Sequence, residues 1–312
     1  MKIVINARMR SLVEGRLPHG IVPCYAASVD EAAAVIGDAD AAWLDFLPES
    51  SNSAIAAGKR LRWISTFFAG VDNLPVEQMR ARGIALTNGT GLNAIPCAEY
   101  AVMAMLSLAK NVPEVVRAGD RHEWPAHSPG TGELHDSRAL VIGYGAMGRA
   151  VGERLQGFGV EVTGVRRTPG GEARVIGPDE WRPRLGDYDW IVLTAPSTDE
   201  TRQMIGAAEL AAMKPGACIV NVARGTLIDQ DALIAAVREK RIGGAWLDVT
   251  TPEPLPADHP LWDVPGITLS MHLSGRSQTR TIERAAALFL DNAARFIEGR
   301  PLRNVVDPAL GY

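Results

Sequence analysis

Cysteine is scarce in this sequence and scattered. Its three residues, Cys24, Cys97 and Cys218, form no CxxC pair or Cys/His cluster, which excludes a disulfide framework and a structural zinc site and fits a reducing cytoplasm. An excess of either charge is missing too. The 32 Lys+Arg against 36 Asp+Glu leave a net charge of only -4, which excludes a basic nucleic-acid binder and an acidic tail. No uncharged apolar run approaches the roughly 18 residues of a membrane span. The start, Met1-Lys2-Ile3-Val4-Ile5-Asn6, turns polar before an apolar stretch reaches signal-peptide length. The expectation is a cytoplasmic protein with neither nucleic acid nor membrane as a partner. What is present suits a folded chain: 46% apolar against 22% charged residues excludes disorder, and 312 residues at about 150 per domain suggest two domains.

Short apolar runs alternate with helical patterns from the first residues. Lys2 to Ile5, Ala41 to Leu44, Leu61 to Ile64 and Ile84 to Thr87 read as strands; Val29 to Ile36, Ser53 to Gly58 and Val76 to Arg82 read as helices. Together they make a small parallel α/β unit. From Pro96 to about Arg117 the spacing of Ala98, Val102, Met105 and Leu106 predicts one long helix, with Pro96 in its first turn. Residues 118–137 carry Gly, Pro, His and Asp without a period and read as an irregular loop. Six apolar strands follow, at Ala139 to Ile142, Val160 to Val165, Trp190 to Leu193, Ala217 to Val222, Gly244 to Leu247 and Ile267 to Ser270, the first five separated by helical patterns. That suits a doubly wound nucleotide-binding sheet, with a closing helix over about residues 278–298 returning to the first unit. The predicted fold class is α/β with two Rossmann-like domains. One is a flavodoxin-like substrate domain, residues 1–97 completed by 286–312; the other is a dinucleotide-binding domain, residues 98–285.

The strand at Ala139 to Ile142 runs directly into Gly143-Tyr144-Gly145-Ala146-Met147-Gly148, a GxGxxG at a strand-to-helix turn. Gly143 permits the tight turn and Gly145 lets backbone approach a pyrophosphate at the helix start, around Ala146 and Met147. Gly148 allows close helix-strand packing. A relaxed match, Gly89-Thr90-Gly91-Leu92-Asn93-Ala94, also follows a strand, but about 20 residues on the chain is inside the long helix, where a ribose-reading residue should end a second strand. It reads as a hinge or substrate-side loop. After Gly148, the place where an NAD enzyme puts Asp or Glu on the ribose hydroxyls holds Val165-Arg166-Arg167-Thr168. Two guanidinium groups and a hydroxyl suit a 2′-phosphate, so the cofactor favoured is NADP, with NAD left open; the bland alternative is a solvated basic turn.

Three later segments are Asn221-Val222-Ala223-Arg224-Gly225-Thr226-Leu227-Ile228-Asp229, Leu247-Asp248-Val249-Thr250-Thr251-Pro252-Glu253-Pro254-Leu255-Pro256, and Met271-His272 after the sixth strand. They resemble segments of the D-isomer-specific 2-hydroxyacid dehydrogenases, nearest to the glyoxylate and hydroxypyruvate reductase branch, and the similarity spans nearly the whole chain. The resemblance implies NAD(P)-dependent reduction of a small 2-keto acid, glyoxylate or hydroxypyruvate foremost, to the D-2-hydroxy acid in a cleft between the domains. It maps the family's catalytic Arg, Glu and His onto Arg224, Glu253 and His272. Chemistry agrees with that assignment. A planar guanidinium can hold the carboxylate and polarise the carbonyl, and an imidazole can give the oxygen its proton; a carboxylate can stabilise and orient the imidazolium.

The resemblance also implies that backbone amides in Phe67 to Asp72, at Phe68, Ala69 and Gly70, hold the substrate carboxylate beside Arg224 and His272. The adjacent Phe67 and Phe68 either narrow the pocket or pack between domains. Asn88 to Ala94 and Cys97-Ala98-Glu99 would line the nicotinamide. Thr194, Ala195, Pro196, Thr201, Val222, Ala223, Arg224, Asp248, His272 and Ser274 would join the glycines at the cofactor, with Asp248 near the carboxamide. A homodimer is implied, through the long helix and the loop after it. Asp248 and Glu253 have no third ligand at hand, so no metal is expected.

Some features depart from the pattern or stay outside it. Met271 stands where relatives often have Pro, and Arg276 is either a second cation for a larger substrate or a cap of the last helix. His19, His122, His127, His135 and His259 lie in loops or beside Pro and read as surface or structural. No GxSxG elbow supports a hydrolase. The end at Tyr312 counts against an amino-acid-regulated phosphoglycerate enzyme. Two rivals on the same fold are a dinucleotide-sensing corepressor of the C-terminal-binding-protein group and a formate or phosphite dehydrogenase.

Overall fold

The computed structural model describes residues 1–45, 55–71, 74–277 and 280–307. Two units emerge, Met1–Asn93 with Ser277–Tyr312, and Ala94–Arg276. The sequence reading divides the chain at 97/98 and 285/286. The structure divides it at 93/94, where a helix begins, and at 276/277, ahead of the closing helix, so that neither helix is split. Asp72 and the first two residues of the helix expected over 53–58 lie outside the described residues, and residues 55–57 are helical.

The first unit is a five-stranded parallel sheet of order β2-β1-β3-β4-β5, built from β1 (Lys2–Asn6), β2 (Val22–Ala26), β3 (Ala41–Trp43), β4 (Trp63–Ser65) and β5 (Ala85–Thr87). This is the flavodoxin-like order. Helices α1 (Arg10–Val13), α2 (Val29–Ile36) and α3 (Val76–Ala81) belong to it, with the closing helix Arg280–Ile297. Side chains alternate across the strands. Val4 and Ile64 face a core with Ile36 and Met79; Ile3, Ile5, Trp43 and Trp63 face another with the closing helix. Phe289 of that helix stacks at 4.5 Å on Trp43 and 5.3 Å on Trp63, which ties the C-terminal segment to the N-terminal sheet. Strand β2 is absent from the sequence reading. It is an edge strand containing Pro23, and proline is tolerated only where the ladder stops.

The second unit starts with α4 (Ala94–Ala109) and α5 (Val112–Asp120). The single long helix expected from Pro96 to about Arg117 is in fact broken here. Asn111 adopts φ 48, a left-handed turn that Asn tolerates, and Pro113 restarts the helix in its first turn. The sheet comprises β6 (Arg138–Ile142), β7 (Glu161–Val165), β8 (Val175–Ile176), β9 (Trp190–Leu193), β10 (Cys218–Asn221), β11 (Gly244–Leu247) and β12 (Ile267–Leu269). All its pairs are parallel, in the order β12-β11-β10-β9-β6-β7-β8. Helices α6 (Ala146–Gly157), α7 (Ala207–Ala212) and α8 (Gln230–Arg238) connect the strands. Six strands are expected from sequence; β8 is the seventh, too short at two residues to show a period. No described helix is long and apolar enough to cross a membrane.

Asp189 pins the base of this sheet. Its carboxylate accepts the Arg138 N–H at 2.8 Å and the Lys214 ammonium at 2.5 Å, joining the starts of β6, β9 and β10. Burial raises its pKa, but those two partners outweigh burial and leave the carboxyl below its ordinary value. Asp189→Asn therefore costs about 1–3 kcal/mol of stability at neutral pH. The difference from wild type shrinks as pH falls through the carboxylate range, where wild type also loses the charge. Chemical denaturation at neutral and acidic pH checks this.

Candidate active site

The second sheet reverses its order between β6 and β9, so a crevice opens at their C-terminal ends. Gly143 lies there at φ 102, and a Cβ on it would sit 2.4 Å from the Ala195 nitrogen; one on Gly148 would sit 2.5 Å from the Gly143 oxygen. Backbone contact thus forces both glycines. At Gly145, by contrast, nothing lies within 4 Å of a would-be Cβ, and Gly145 caps α6 without any side-chain bond to its first-turn amides. Open space over uncapped amides at Ala146 and Met147 fits a pyrophosphate. Thr194 donates its hydroxyl to the Gly143 oxygen at 2.9 Å, and Thr201 donates to the Pro196 oxygen at 2.8 Å, so these two shape the cradle's far wall. Val222 and Ala223 are buried beneath the end of β10. Arg166, Arg167 and Thr168 lie exposed just past β7, with Arg167 paired to Glu200 at 3.2 Å. That exposed basic turn fits an additional phosphate.

The expected catalytic side chains come from three strand ends. Wholly buried Asn221 accepts the Ala223 N–H at 3.0 Å and donates to the Arg224 oxygen at 2.9 Å, setting the turn that presents half-buried Arg224. The next residue, Gly225, lies so close to the chain after β11 that a Cβ would be 2.1 Å from the carbonyl carbon of Thr250. Thr250 in turn donates its N–H to Glu253 Oε1 at 3.0 Å, and Glu253 Oε2 lies 2.7 Å from His272 Nδ1. Arg224, Glu253 and His272 are therefore linked through a short run of backbone and hydrogen bonds. A carboxylate only accepts, so this contact places the hydrogen on Nδ1 and leaves Nε2 for proton exchange.

Asp248 holds the histidine loop. Buried at the end of β11, its carboxylate accepts the Ser270 hydroxyl at 2.9 Å and the amides of Leu273 at 2.8 Å and Ser274 at 3.0 Å. Its backbone oxygen takes the His272 N–H at 2.5 Å. The implied contact of Asp248 with the carboxamide is joined here by a bracing role. Met271 and His272 both sit at positive φ, 52 and 56, a local cost that these bonds offset. Met271 is largely exposed. Cys97 is buried; burial pushes its thiol up, and its neighbour is the Ser274 hydroxyl. It acts as packing there.

In the first unit, Phe67 to Gly70 follow β4. Phe67 and Phe68 lie ring to ring at 4.2 Å, and Phe68 is about half exposed at 49%. Asn88 donates to the Ala69 oxygen at 2.8 Å and the Gly89 N–H to the Phe68 oxygen at 2.8 Å. Gly89 is obligatory, since a Cβ would fall 1.8 Å from the Phe67 oxygen. The second glycine match is thus the brace of this loop. Among the described residues, the amides of Ala69 and Gly70 meet no acceptor.

Comparison with known proteins decides the family. Residues 102–274 match the model described as D-isomer specific 2-hydroxyacid dehydrogenase, NAD binding domain. The chain belongs to the D-isomer-specific 2-hydroxyacid dehydrogenase family. Its members are NAD(P)-dependent oxidoreductases, and the second unit carries the NAD-binding domain. The chain is 32% identical over 263 residues to glyoxylate/hydroxypyruvate reductase B of Pectobacterium atrosepticum, covering 80% of each. It is also 32% identical over 276 residues to D-3-phosphoglycerate dehydrogenase of Methanocaldococcus jannaschii; 87% of the chain matches, but only about half, 52%, of that longer relative. Among solved structures it resembles a D-isomer specific 2-hydroxyacid dehydrogenase from Xanthobacter autotrophicus in complex with NADPH and MES. The TM-score is 0.82 at 28% identity, covering 100% of this chain and 99% of that one.

Some residues that brace this candidate site carry no motif in the sequence. Gln230, at the start of α8, clamps the Thr251 peptide from both sides: its oxygen accepts the N–H at 2.8 Å and its nitrogen donates to the carbonyl at 2.6 Å. Trp246 donates its indole N–H to Ser270 at 2.9 Å, extending the support of Asp248. The signal for Gln230 is its place one residue past Asp229, which caps the helix. Trp246 offers none, because an aromatic in a buried strand reads as core.

Proposed function

We propose that this chain is an NADPH-dependent reductase of small 2-oxo acids, glyoxylate or hydroxypyruvate foremost, yielding the D-2-hydroxy acid. The observation that carries the reading is the His272–Glu253 contact at 2.7 Å, linked through Thr250 to the Arg224 turn at the edge of a dinucleotide-binding sheet. When bound, the reduced nicotinamide supplies hydride. The chain's own residues do the rest. Arg224 binds the carboxylate and draws charge onto the carbonyl oxygen. His272 gives that oxygen a proton from Nε2 and recovers one from solvent, its side chain being half exposed, while Glu253 keeps the ring turned and balances the imidazolium. The amides of Ala69 and Gly70, beside Phe68, hold the acid's carboxylate from the first unit. Glycines 143, 145 and 148 seat the pyrophosphate.

NADP preference is supported by Arg166, Arg167 and Thr168, which follow β7 where the sequence places no Asp or Glu for the ribose hydroxyls, the Glu200 carboxylate being paired to Arg167 at 3.2 Å. A relative's complex with NADPH supports it. A homodimer is supported by apolar side chains left exposed on and after α5, Val115 and Val116 with Trp124 at 97% exposure. Three free thiols suit a reducing compartment such as the cytoplasm.

The test is a panel of 2-oxo acids assayed with NADPH and with NADH. Turnover of glyoxylate or hydroxypyruvate faster with NADPH is expected. Arg166→Ala then raises KM for NADPH about tenfold, as the loss of one charge-assisted bond does, and changes KM for NADH little. Equal effects on both cofactors would refute phosphate recognition. NADPH binding without turnover of any acid would instead mark a dinucleotide sensor.

A further inference from the structure

The mechanism above does not use the carboxylate of Asp45. Asp45 follows β3, partly buried, and takes three hydrogen bonds. Its Oδ1 accepts the Thr66 hydroxyl at 2.6 Å; its Oδ2 accepts the Trp43 indole N–H at 2.7 Å and the Phe67 backbone N–H at 2.5 Å. Thr66 Oγ1 accepts in turn the Phe68 N–H at 3.2 Å. Asn6, at the end of β1, donates to the Asp45 backbone oxygen at 2.5 Å and fixes the carboxylate's own stem.

The consequence for the loop is specific. Of four successive amides, Asp45 takes that of Phe67 directly and that of Phe68 through Thr66. The next two, at Ala69 and Gly70, are left with no acceptor among the described residues. Burial pushes the Asp45 carboxyl up to about 6, against the pull of Thr66, Phe67 and Trp43. Keeping a carboxylate here costs stability. An apolar residue would fill the space but could not hold two strand ends and a loop in one geometry.

We propose that Asp45 is a positioning residue for the substrate carboxylate, acting through Thr66 and Phe67 to keep the Ala69 and Gly70 amides turned toward an external anion. This rests on the reading that those amides bind the 2-oxo acid. Asp45 itself does not touch substrate; both of its oxygens are taken up in accepting from Trp43, Thr66 and Phe67. Replacing it with an amide keeps an oxygen for Phe67 and Trp43 but puts a donor against Thr66, whose hydroxyl must then give up its donation. The bond set that fixes the loop weakens even though size and shape are kept.

The test compares KM for glyoxylate, kcat and NADPH affinity, the last by fluorescence titration, in the full chain. Asp45→Asn and Thr66→Val are each expected to raise KM for glyoxylate about tenfold, with kcat and NADPH affinity within about threefold of wild type. Thr66→Ser keeps the hydroxyl and restores KM. Gly70→Pro, which deletes an amide donor, separates the two ideas. If Gly70→Pro raises KM while Asp45→Asn and Thr66→Val leave it unchanged, the role of Asp45 is wrong and the amide reading stands. If Gly70→Pro leaves KM unchanged, the amide reading fails and the role of Asp45 falls with it. A parallel loss of kcat and NADPH affinity in both Asp45→Asn and Thr66→Val would show general disruption and would equally overturn the proposal.

Discussion

His272→Ala is expected to lower kcat for glyoxylate by about 10²–10⁴-fold, the usual contribution of a positioned proton donor, while NADPH still binds. The expectation comes from how the ring is held. Its backbone N–H is bonded to the Asp248 oxygen at 2.5 Å and its Nδ1 to Glu253 at 2.7 Å, in a loop kept at positive φ. Nothing in that arrangement serves the core, since the side chain is half exposed. The substitution should therefore leave the thermal midpoint almost unchanged. Steady-state kinetics beside a cofactor titration checks it; near wild-type turnover in His272→Ala would remove the proton donor from the mechanism.

Gly225→Ala should cost about 100-fold in kcat/KM without touching any reacting group, the scale expected when catalytic groups shift by about an ångström. A Cβ there would stand 2.1 Å from the Thr250 carbonyl carbon, and backbone cannot yield as a flexible side chain can. Either the Arg224 turn or the Thr250 amide that anchors Glu253 must move, and both routes separate the guanidinium from the imidazole. Overpacking also lowers stability, by about 1–3 kcal/mol. Gly119→Ala in α5 is the control, because nothing lies within 4 Å of its Cβ and no catalytic bond passes through it. Wild-type kinetics for Gly225→Ala would mean that the two turns are not coupled.

The dinucleotide sheet was legible because its signals are local. Strand, GxGxxG and helix follow one another without a gap, and even the unread residue of the motif has a local reason. Tyr144 lies between Gly152 and Gly164, where a Cβ would meet its hydroxyl oxygen at 2.5 Å and its ring at 2.4 Å respectively. Arg224, Glu253 and His272 are proposed through segments resembling a family; the structure adds the Glu253–His272 contact and the close passage of Gly225 against Thr250. What stayed hidden depends on distance along the chain. Asp45 meets Thr66 across 21 residues and Ser270 meets Asp248 across 22, and no periodicity carries such pairings. The same holds for edge strand β2 and the two-residue β8, whose backbone pairing is fixed by neighbours rather than by their own pattern. The break at Asn111 was readable in principle from Asn followed by Pro113, but a strong apolar stripe on both sides masks it.

On the proposed reading, hydride passes directly to one face of carbon 2 of an oxo acid while the proton goes to its carbonyl oxygen. NADPH deuterated at the reactive ring carbon, incubated with the wild-type chain and hydroxypyruvate or glyoxylate, tests it in one product analysis. The account predicts, from hydroxypyruvate, D-glycerate carrying deuterium at carbon 2. Unlabelled glycerate, the L enantiomer, or no labelled 2-hydroxy acid from either hydroxypyruvate or glyoxylate would contradict it.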